Sequence, residues 1–431
     1  MKYHWLILFI LVFQSFSAQD FKKKANLLNT SEDLNALILA SCEKKLVLLG
    51  EASHGTHEYY HWRDQISRKL IANHNFSFIA VEGDFASLYE LNRYVKNREG
   101  AAASAREVLL KLDRWPTWMW GNEEVVALAE WLRTHNDHLP QDQKVGFYGM
   151  DVYDEWRSKE VVLEMLKSSN NQLYESVKNQ YECIRPYKDD SWGYANAVRM
   201  GRSACDTATK NAMELIKNNR NQLRSLNDDD YFYLLQNATV FHNAEKFYRK
   251  SATQQDAASW NSRVTHMHNT VTDLLDLYGE NAKGIVWAHN THIGDANFTS
   301  MRNFDQKNIG QLSREHHGSD QVFLIGFTTY KGKVMAGSSW GSPMEEMTIP
   351  KATSNSVESK FHKTGLESFY LIFDEEDRND KQMQQVLGNR AVGVVYNPRN
   401  DNRQFVPTIL PLRYDAIIYF RETKALQPLN R

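Results

Sequence analysis

The sequence predicts an α/β protein: a mostly parallel sheet with helices on both faces, plus an inserted helical-bundle lobe. Three observations lead there. Short apolar, β-branched runs alternate with helical patterns over the first 150 residues, and such runs return near the end of the chain. Between 156 and 278 strand-like runs vanish and long Asn-, Lys-, Glu- and Leu-containing helical patterns follow one another. Finally, several strand-like runs end in a carboxylate or an imidazole, at the sheet edge where open α/β folds bind ligands.

Taken in order, residues 1–18 read as a signal peptide. Lys2 and His4 precede the apolar run 6–13, which is too short to span a bilayer, and Ser15, Ser17 and Ala18 supply small residues for cleavage. Export to the periplasm or beyond is expected, with no stable membrane anchor once the signal is removed. Residues 21–40 follow as a short helix, and 44–50 as the first strand. A helix at 58–73, a strand at 76–82 and a helix at 85–98 make a βαβα unit, which requires parallel strands with right-handed crossovers. A helix at 121–136 leads to a third strand at 144–151. The sheet resumes at 284–289. Runs 321–330 and 333–337 face each other across Lys331-Gly332 as a hairpin, and 369–373, 391–396 and 415–420 complete the strands. The α/β core is thus expected from 19–155 and 279–431, with 156–278 as the helical lobe.

With 42% hydrophobic, 12% aromatic and 24% charged residues, the 431-residue chain can build a sizeable core. A net charge of −2, without a basic stripe interleaved with aromatics, gives no support to nucleic-acid binding. Three cysteines are too few for a disulfide scaffold, and the odd count leaves at least one thiol free. Cys183 and Cys205 either pair in an oxidising compartment or remain separate thiols, and Cys42 is expected to be buried.

The chemistry concentrates at three strand ends. Leu46-Val-Leu-Leu-Gly-Glu-Ala-Ser-His-Gly-Thr-His57 places Glu51 and His54 three residues apart in a strand-to-helix loop, a carboxylate and an imidazole suited to general-base work. Glu82 ends the second strand, either as part of the site or in a structural ion pair with Arg63 or Arg114. Asp151 ends the third strand in the same way. His289 and His292 follow the strand that resumes the sheet. The pair at 135 and 138 lies in a polar loop and carries no chemistry. Trp115 and Trp118 suit either the core or the wall of a cleft.

A rival pattern overlaps the first motif. His57-Glu58-Tyr59-Tyr60-His61 matches H-E-x-x-H, the zinc-binding helix of metallopeptidases, which would make the protein an exported metal-dependent hydrolase or peptidase with His57 and His61, or His54, His57, His289 and His292, as ligands. Against it, His57 falls at the very start of its helix. A third reading is a non-catalytic small-ligand binding protein. The chain has no P-loop and no G-x-G-x-x-G after a strand, so NTPase and dinucleotide chemistries lack their defining loops.

Gly50-Glu-Ala-Ser-His-Gly-Thr56 with Glu58 and Arg63, Val81-Glu82-Gly-Asp84, and Trp287-Ala-His-Asn-Thr-His292 together resemble the erythromycin esterase family. Supporting stretches are Arg114-Trp115-Pro-Thr-Trp118, Trp131-Leu-Arg133, Phe147-Tyr-Gly-Met-Asp151, and Trp260-Asn-Ser-Arg263 through Met267. The resemblance implies an α/β core with a helical lobe over the cleft and a hydrolase without cofactor or metal, opening a macrolide lactone or related carboxylic ester. It implies His54 as the base that activates water, with Glu51, Arg63, Glu82, His289 and His292 completing the site. On this reading Arg63 and a protonated His289 or His292 stabilise the oxyanion, Glu51 and Glu82 orient them, and Asp151, Arg114, Trp115 and Trp118 contact substrate. The exported N-terminus departs from the cytoplasmic setting common among macrolide-inactivating enzymes.

Overall fold

The computed structural model describes residues 18–254 and 256–429. The signal peptide expected at 1–18 lies outside them except for Ala18, which opens the short helix Ala18–Lys24.

Eleven strands are present among the described residues: β1 (Asn26–Leu27), β2 (Leu46–Leu49), β3 (Phe78–Asp84), β4 (Gly146–Asp151), β5 (Gly284–Trp287), β6 (Val322–Gly337), β7 (Met344–Ile349), β8 (Ser368–Ile372), β9 (Val386–Arg390), β10 (Phe405–Ile409) and β11 (Ala416–Thr423). The main sheet runs β1-β8-β11-β6-β2-β5-β3-β4, with β7 paired to the far half of β6; β9 and β10 form a separate ribbon. From β4 across to β11 all neighbours are parallel, and β8, β1 and β7 pair antiparallel to theirs. The mostly parallel α/β architecture predicted from the alternating pattern is therefore the one observed.

The strands are apolar throughout because both faces are covered. Along β2, Val47 and Leu49 pack into one core, with residues of the helices His57–His74, Phe85–Val95 and Glu123–Asn136, while Leu46 and Leu48 pack into the other, with Met267, Val271 and Leu274 of the helix Asp256–Tyr278. Side chains of a strand alternate faces, so a continuous apolar run is what a doubly covered strand requires. Between β4 and β5 the described chain is helical, from Glu155–Ser169 to Asp256–Tyr278, and has its own core around Val162, Leu166, Val177, Leu234 and Phe241. Cys183 and Cys205 are joined there, with Cα atoms 5.9 Å apart, and Cys42 is free and buried.

Three local expectations are corrected. The helix expected at 21–40 is broken by β1, which pairs with β8, and resumes only at Asn35–Ser41. Lys331-Gly332 is not a turn: β6 runs straight through it because both residues pair with Glu422 and Thr423 of β11. Gly332 serves close approach instead, since a Cβ there would lie 2.4 Å from the Thr423 carbonyl oxygen. The reversal comes later, before β7. The strand expected at 391–396 is displaced upstream to β9, leaving only isolated bridges at Val392 and Val395.

Candidate active site

The sheet order places β2, β5, β3 and β4 side by side, so their C-terminal ends form one edge. The loop after β2 is pinned at several points. The Glu51 carbonyl accepts from the Asn290 N–H (2.9 Å), Ala52 from Val392 (2.7 Å), and Gly55 from both Met335 and Leu426. Gly50 is demanded by this closeness: a Cβ would sit 2.1 Å from Asn290 Oδ1. The functional side chains of this loop are thus held before any ligand arrives, which is what preorganised catalysis requires.

Glu51 is fully buried and divides its two oxygens. Oε1 lies 2.8 Å from His54 Nδ1, and Oε2 accepts from Arg63 Nη2 at 2.8 Å. Arg63, likewise without solvent exposure, stacks between the rings of Tyr60 (4.4 Å) and Trp287 (4.6 Å). It stands behind Glu51 and does not open onto the cleft, so it anchors the carboxylate where an oxyanion contact was expected. Burial presses the His54 pKa down, but the hydrogen bond and charge of Glu51, helped by Glu82, outweigh it and the pKa is raised.

The His54 ring lies 5.0 Å from that of His289. His289 Nδ1 accepts from the Thr291 backbone N–H at 3.3 Å and sits 2.9 Å from the Thr291 hydroxyl. This assigns the proton to Nε2, which makes no hydrogen bond of normal geometry. Burial, and then the neighbouring His54, hold the His289 pKa well below the ordinary imidazole value. Two imidazoles in van der Waals reach are therefore driven in opposite directions, the pattern that separates an acid/base group from a neutral hydrogen-bond donor.

Glu82 forms the second half of the centre. One oxygen accepts from the His289 backbone N–H (2.9 Å); the other meets His292 Nε2 at 3.2 Å and Arg263 Nη2 at 3.0 Å. Burial opposes ionisation, yet His292, His54 and Arg263 together hold this carboxyl well below the usual carboxylate range. Arg263 also grips Asp151 with two bonds, Nε to Oδ1 at 2.8 Å and Nη2 to Oδ2 at 2.6 Å. Trp260, one turn earlier, stacks on the His292 ring at 4.7 Å and 12°.

The structure thus brings Glu51, His54, Arg63, Glu82, Asp151, His289 and His292 into one buried centre. Sequence reasoning did not place Arg263 and Trp260 in the site; their signal was the Trp260-Asn-Ser-Arg263 stretch that carried part of the family resemblance. Asp151 binds Arg263, which occupies both of its oxygens. Glu82 pairs with neither Arg63 nor Arg114. Arg114 instead clasps Asp84 through Nε (2.5 Å) and Nη2 (2.6 Å) and lies over Tyr153. Trp115 is partly exposed, meets the Trp340 ring at 4.6 Å with the planes inclined by 55° and donates to the Ser342 carbonyl, so it remains on the rim. Trp118 is 1% exposed and belongs to the core, not to a substrate surface.

A narrow cavity of about 30 Å³ lined by Glu82, Asp84 and Arg114 adjoins a larger one of about 430 Å³; both are bordered by Ser87, Leu112 and Asp113. The H-E-x-x-H residues lie apart from this centre. His57 Nδ1 is 2.7 Å from Glu124 Oε1, the rings of His57 and His61 stack nearly parallel at 5.9 Å, and Glu58 accepts the Lys424 backbone N–H at 2.8 Å. Glu58 is committed to the backbone, so it is not the free carboxylate that pattern requires beside a metal-bound water.

The fold has counterparts among solved structures. A Bacillus cereus protein superposes with a TM-score of 0.79 at 20% identity, covering 96% of this chain and 98% of its own. A succinoglycan biosynthesis protein gives 0.75 at 20% identity over 95% and 97%. A mutant of the erythromycin esterase EreC in its open conformation gives 0.64 at 15% identity over 93% and 96%. The erythromycin esterase family model matches residues 71–423, most of the sequence. On that match the chain belongs to the erythromycin esterase family, a membership that supports a hydrolase of that type.

Proposed function

We propose that the protein hydrolyses a carboxylic ester or lactone of a small molecule, with water activated by His54 and no covalent intermediate. The observation that carries this reading is the Glu51-held imidazole of His54 set 5.0 Å from a neutral His289. Glu51, fixed by Arg63, orients His54 through Nδ1 and stabilises the imidazolium that forms when the remaining nitrogen takes a proton from water. Hydroxide attacks the carbonyl carbon, and the oxyanion is met by the His289 Nε2–H, which costs little to redirect because it makes no normal hydrogen bond. Collapse of the tetrahedral species breaks the C–O bond, and His54 returns its proton to the leaving alkoxide. Glu82, Arg263 and Asp151 hold His289 and His292 in place. A macrolide lactone is the substrate suggested by the family, and the adjoining cavity, lined by charged side chains such as Glu90, Lys111 and Arg157 together with Val108, Leu112 and Trp156, offers room for a bulky polar ring. Export fits the N-terminal pattern, and the Cys183–Cys205 bond suits an oxidising compartment.

The test is incubation of the purified protein with a panel of esters and lactones, including fourteen-membered macrolides, read by mass spectrometry for the addition of water. Hydrolysis that disappears in His54→Ala, with the fold intact, is the expected result. Hydrolysis at wild-type rate by that variant overturns the assignment of His54, and ligand binding without turnover across the panel favours a binding protein.

A further inference from the structure

Cys42 is the one cysteine outside the disulfide, and the mechanism above does not use it. It caps the helix Asn35–Ser41 just before β2, at the opposite end of that strand from Glu51 and His54. Beside it stand Glu43 and His74, the latter the last residue of the helix His57–His74. One donor atom from each, the Cys42 sulfur, a Glu43 carboxylate oxygen and a His74 ring nitrogen, all lie within 4.8 Å of one another. Among the described residues this is the one set of three Cys, His, Asp or Glu donors that converges so closely.

We propose that Cys42, Glu43 and His74 form a binding site for a thiophilic divalent cation of the zinc class, with water as the fourth ligand. Thiolate and imidazole select such a cation over calcium or magnesium, which take oxygen donors. Bond lengths near 2.3 Å to sulfur and 2.0–2.2 Å to nitrogen and oxygen place tetrahedral donors about 3.4–3.6 Å apart, so closure requires a movement of roughly 1 Å. The exposed side chain of Glu43 and the half-buried ring of His74 are free to make it. No described residue hydrogen-bonds to that ring. Glu43 has a competing partner in Lys283, whose Nζ lies 3.9 Å from Oε2 but is already held by the Cys42 carbonyl at 2.9 Å. Surrendering so long and exposed an ion pair costs little. On binding, the Cys42 thiol loses its proton to solvent and the sulfur bonds to the metal.

Such a cation would join the ends of two elements whose other ends carry the proposed active site: the segment leading into β2, which delivers Glu51 and His54, and the helix that delivers Arg63. Its role is that of a clip, present in the native state and absent from the unfolded one, so binding raises the melting temperature.

The experiment uses the mature protein with its disulfide intact, titrated with Cd²⁺ and followed by the ultraviolet cadmium–thiolate charge-transfer band, with Zn²⁺ as competitor. One equivalent is expected to produce the band, Cys42→Ser to abolish it, and His74→Gln to weaken binding at least tenfold. Zn²⁺ should also slow alkylation of Cys42 in the wild type, a readout independent of how well Cys42→Ser packs. No band in the wild type, a band of equal strength in Cys42→Ser, or wild-type affinity in His74→Gln each overturns the site. None of these readouts depends on ester hydrolysis.

Discussion

Glu51→Gln isolates what the buried carboxylate does for His54. The two oxygens of Glu51 accept from different donors, His54 at 2.8 Å and Arg63 at 2.8 Å. Glutamine offers one acceptor oxygen, so one of the two contacts becomes a clash of donors. Loss of a charge-assisted bond of this kind costs about 1.5–3 kcal/mol. If the full amount falls on the imidazolium formed in the transition state, kcat/KM drops roughly 10- to 150-fold. The pH profile carries a second, independent signature. The Glu51 charge raises the His54 pKa above 6.5 against the pull of burial, and a base works only when unprotonated, so wild-type activity should rise with pH through a limb lying above 6.5. In Glu51→Gln the opposing burial is left unbalanced, and the limb should move to lower pH while the plateau falls. The assay is kcat/KM for whichever ester is turned over, from pH 5 to 9, with melting curves to establish that the variant is folded. A plateau within twofold of wild type, or a limb that stays in place, would refute the Glu51–His54 dyad.

Three further outcomes follow from the same geometry. Arg263→Lys keeps the charge but loses the two-pronged grip on Asp151, so the urea midpoint should fall by the equivalent of about 1.5–3 kcal/mol and kcat/KM by at least about tenfold; an unchanged midpoint would show that the fork carries no load. His266 is pushed down to about 4 by burial, against 6.5 when unfolded, so the unfolded chain binds the extra proton between these values and stability drops by about 3 kcal/mol as pH falls through that window. Denaturation of His266→Gln at pH 7 and pH 4 should show a correspondingly shallower loss. Reduction of Cys183–Cys205, 22 residues apart, should remove about 3 kcal/mol from the helical region in the chain-entropy model, seen as a lower melting temperature in reductant that Cys183→Ser reproduces.

What could be read from the sequence, and what could not, divides along a physical line. Strand ends were legible because an ionisable residue closing an apolar run is costly unless it faces a site or a partner, and Glu51, Glu82, Asp151 and His289 all stood out in that way. Pairings were not, because periodicity says which face of an element is buried and nothing about what it meets. Arg263 reaches Asp151 across 112 residues and Glu82 across 181, from a helix whose polar residues look like any solvated face. Arg63 and Arg114 were recognisable as partners for buried carboxylates, but only packing decides that the first takes Glu51 and the second Asp84. The Lys331-Gly332 misreading has the same origin: a turn-forming dipeptide is overridden when both residues find a parallel neighbour in β11.

The same distinction explains how two histidines 5.0 Å apart come to opposite protonation preferences. Each is near a buried carboxylate, so proximity alone would raise both. The difference lies in which atoms are joined. Glu51 gives its oxygen directly to the His54 ring, where it stabilises the added proton. Glu82 gives its oxygen to the backbone N–H of His289, and the ring nitrogen that would take a proton is instead occupied by the Thr291 N–H. Glu82 still attracts a charge on the His289 ring through space, but burial and the repulsion of His54 exceed that attraction. An acceptor at Nδ1 of one ring and a donor at Nδ1 of the other therefore fix the roles of both: His54 takes the proton and His289 offers one. Neither role follows from the identity of the residues, and both follow from the loop geometry that Asn290, Gly50 and Thr291 impose.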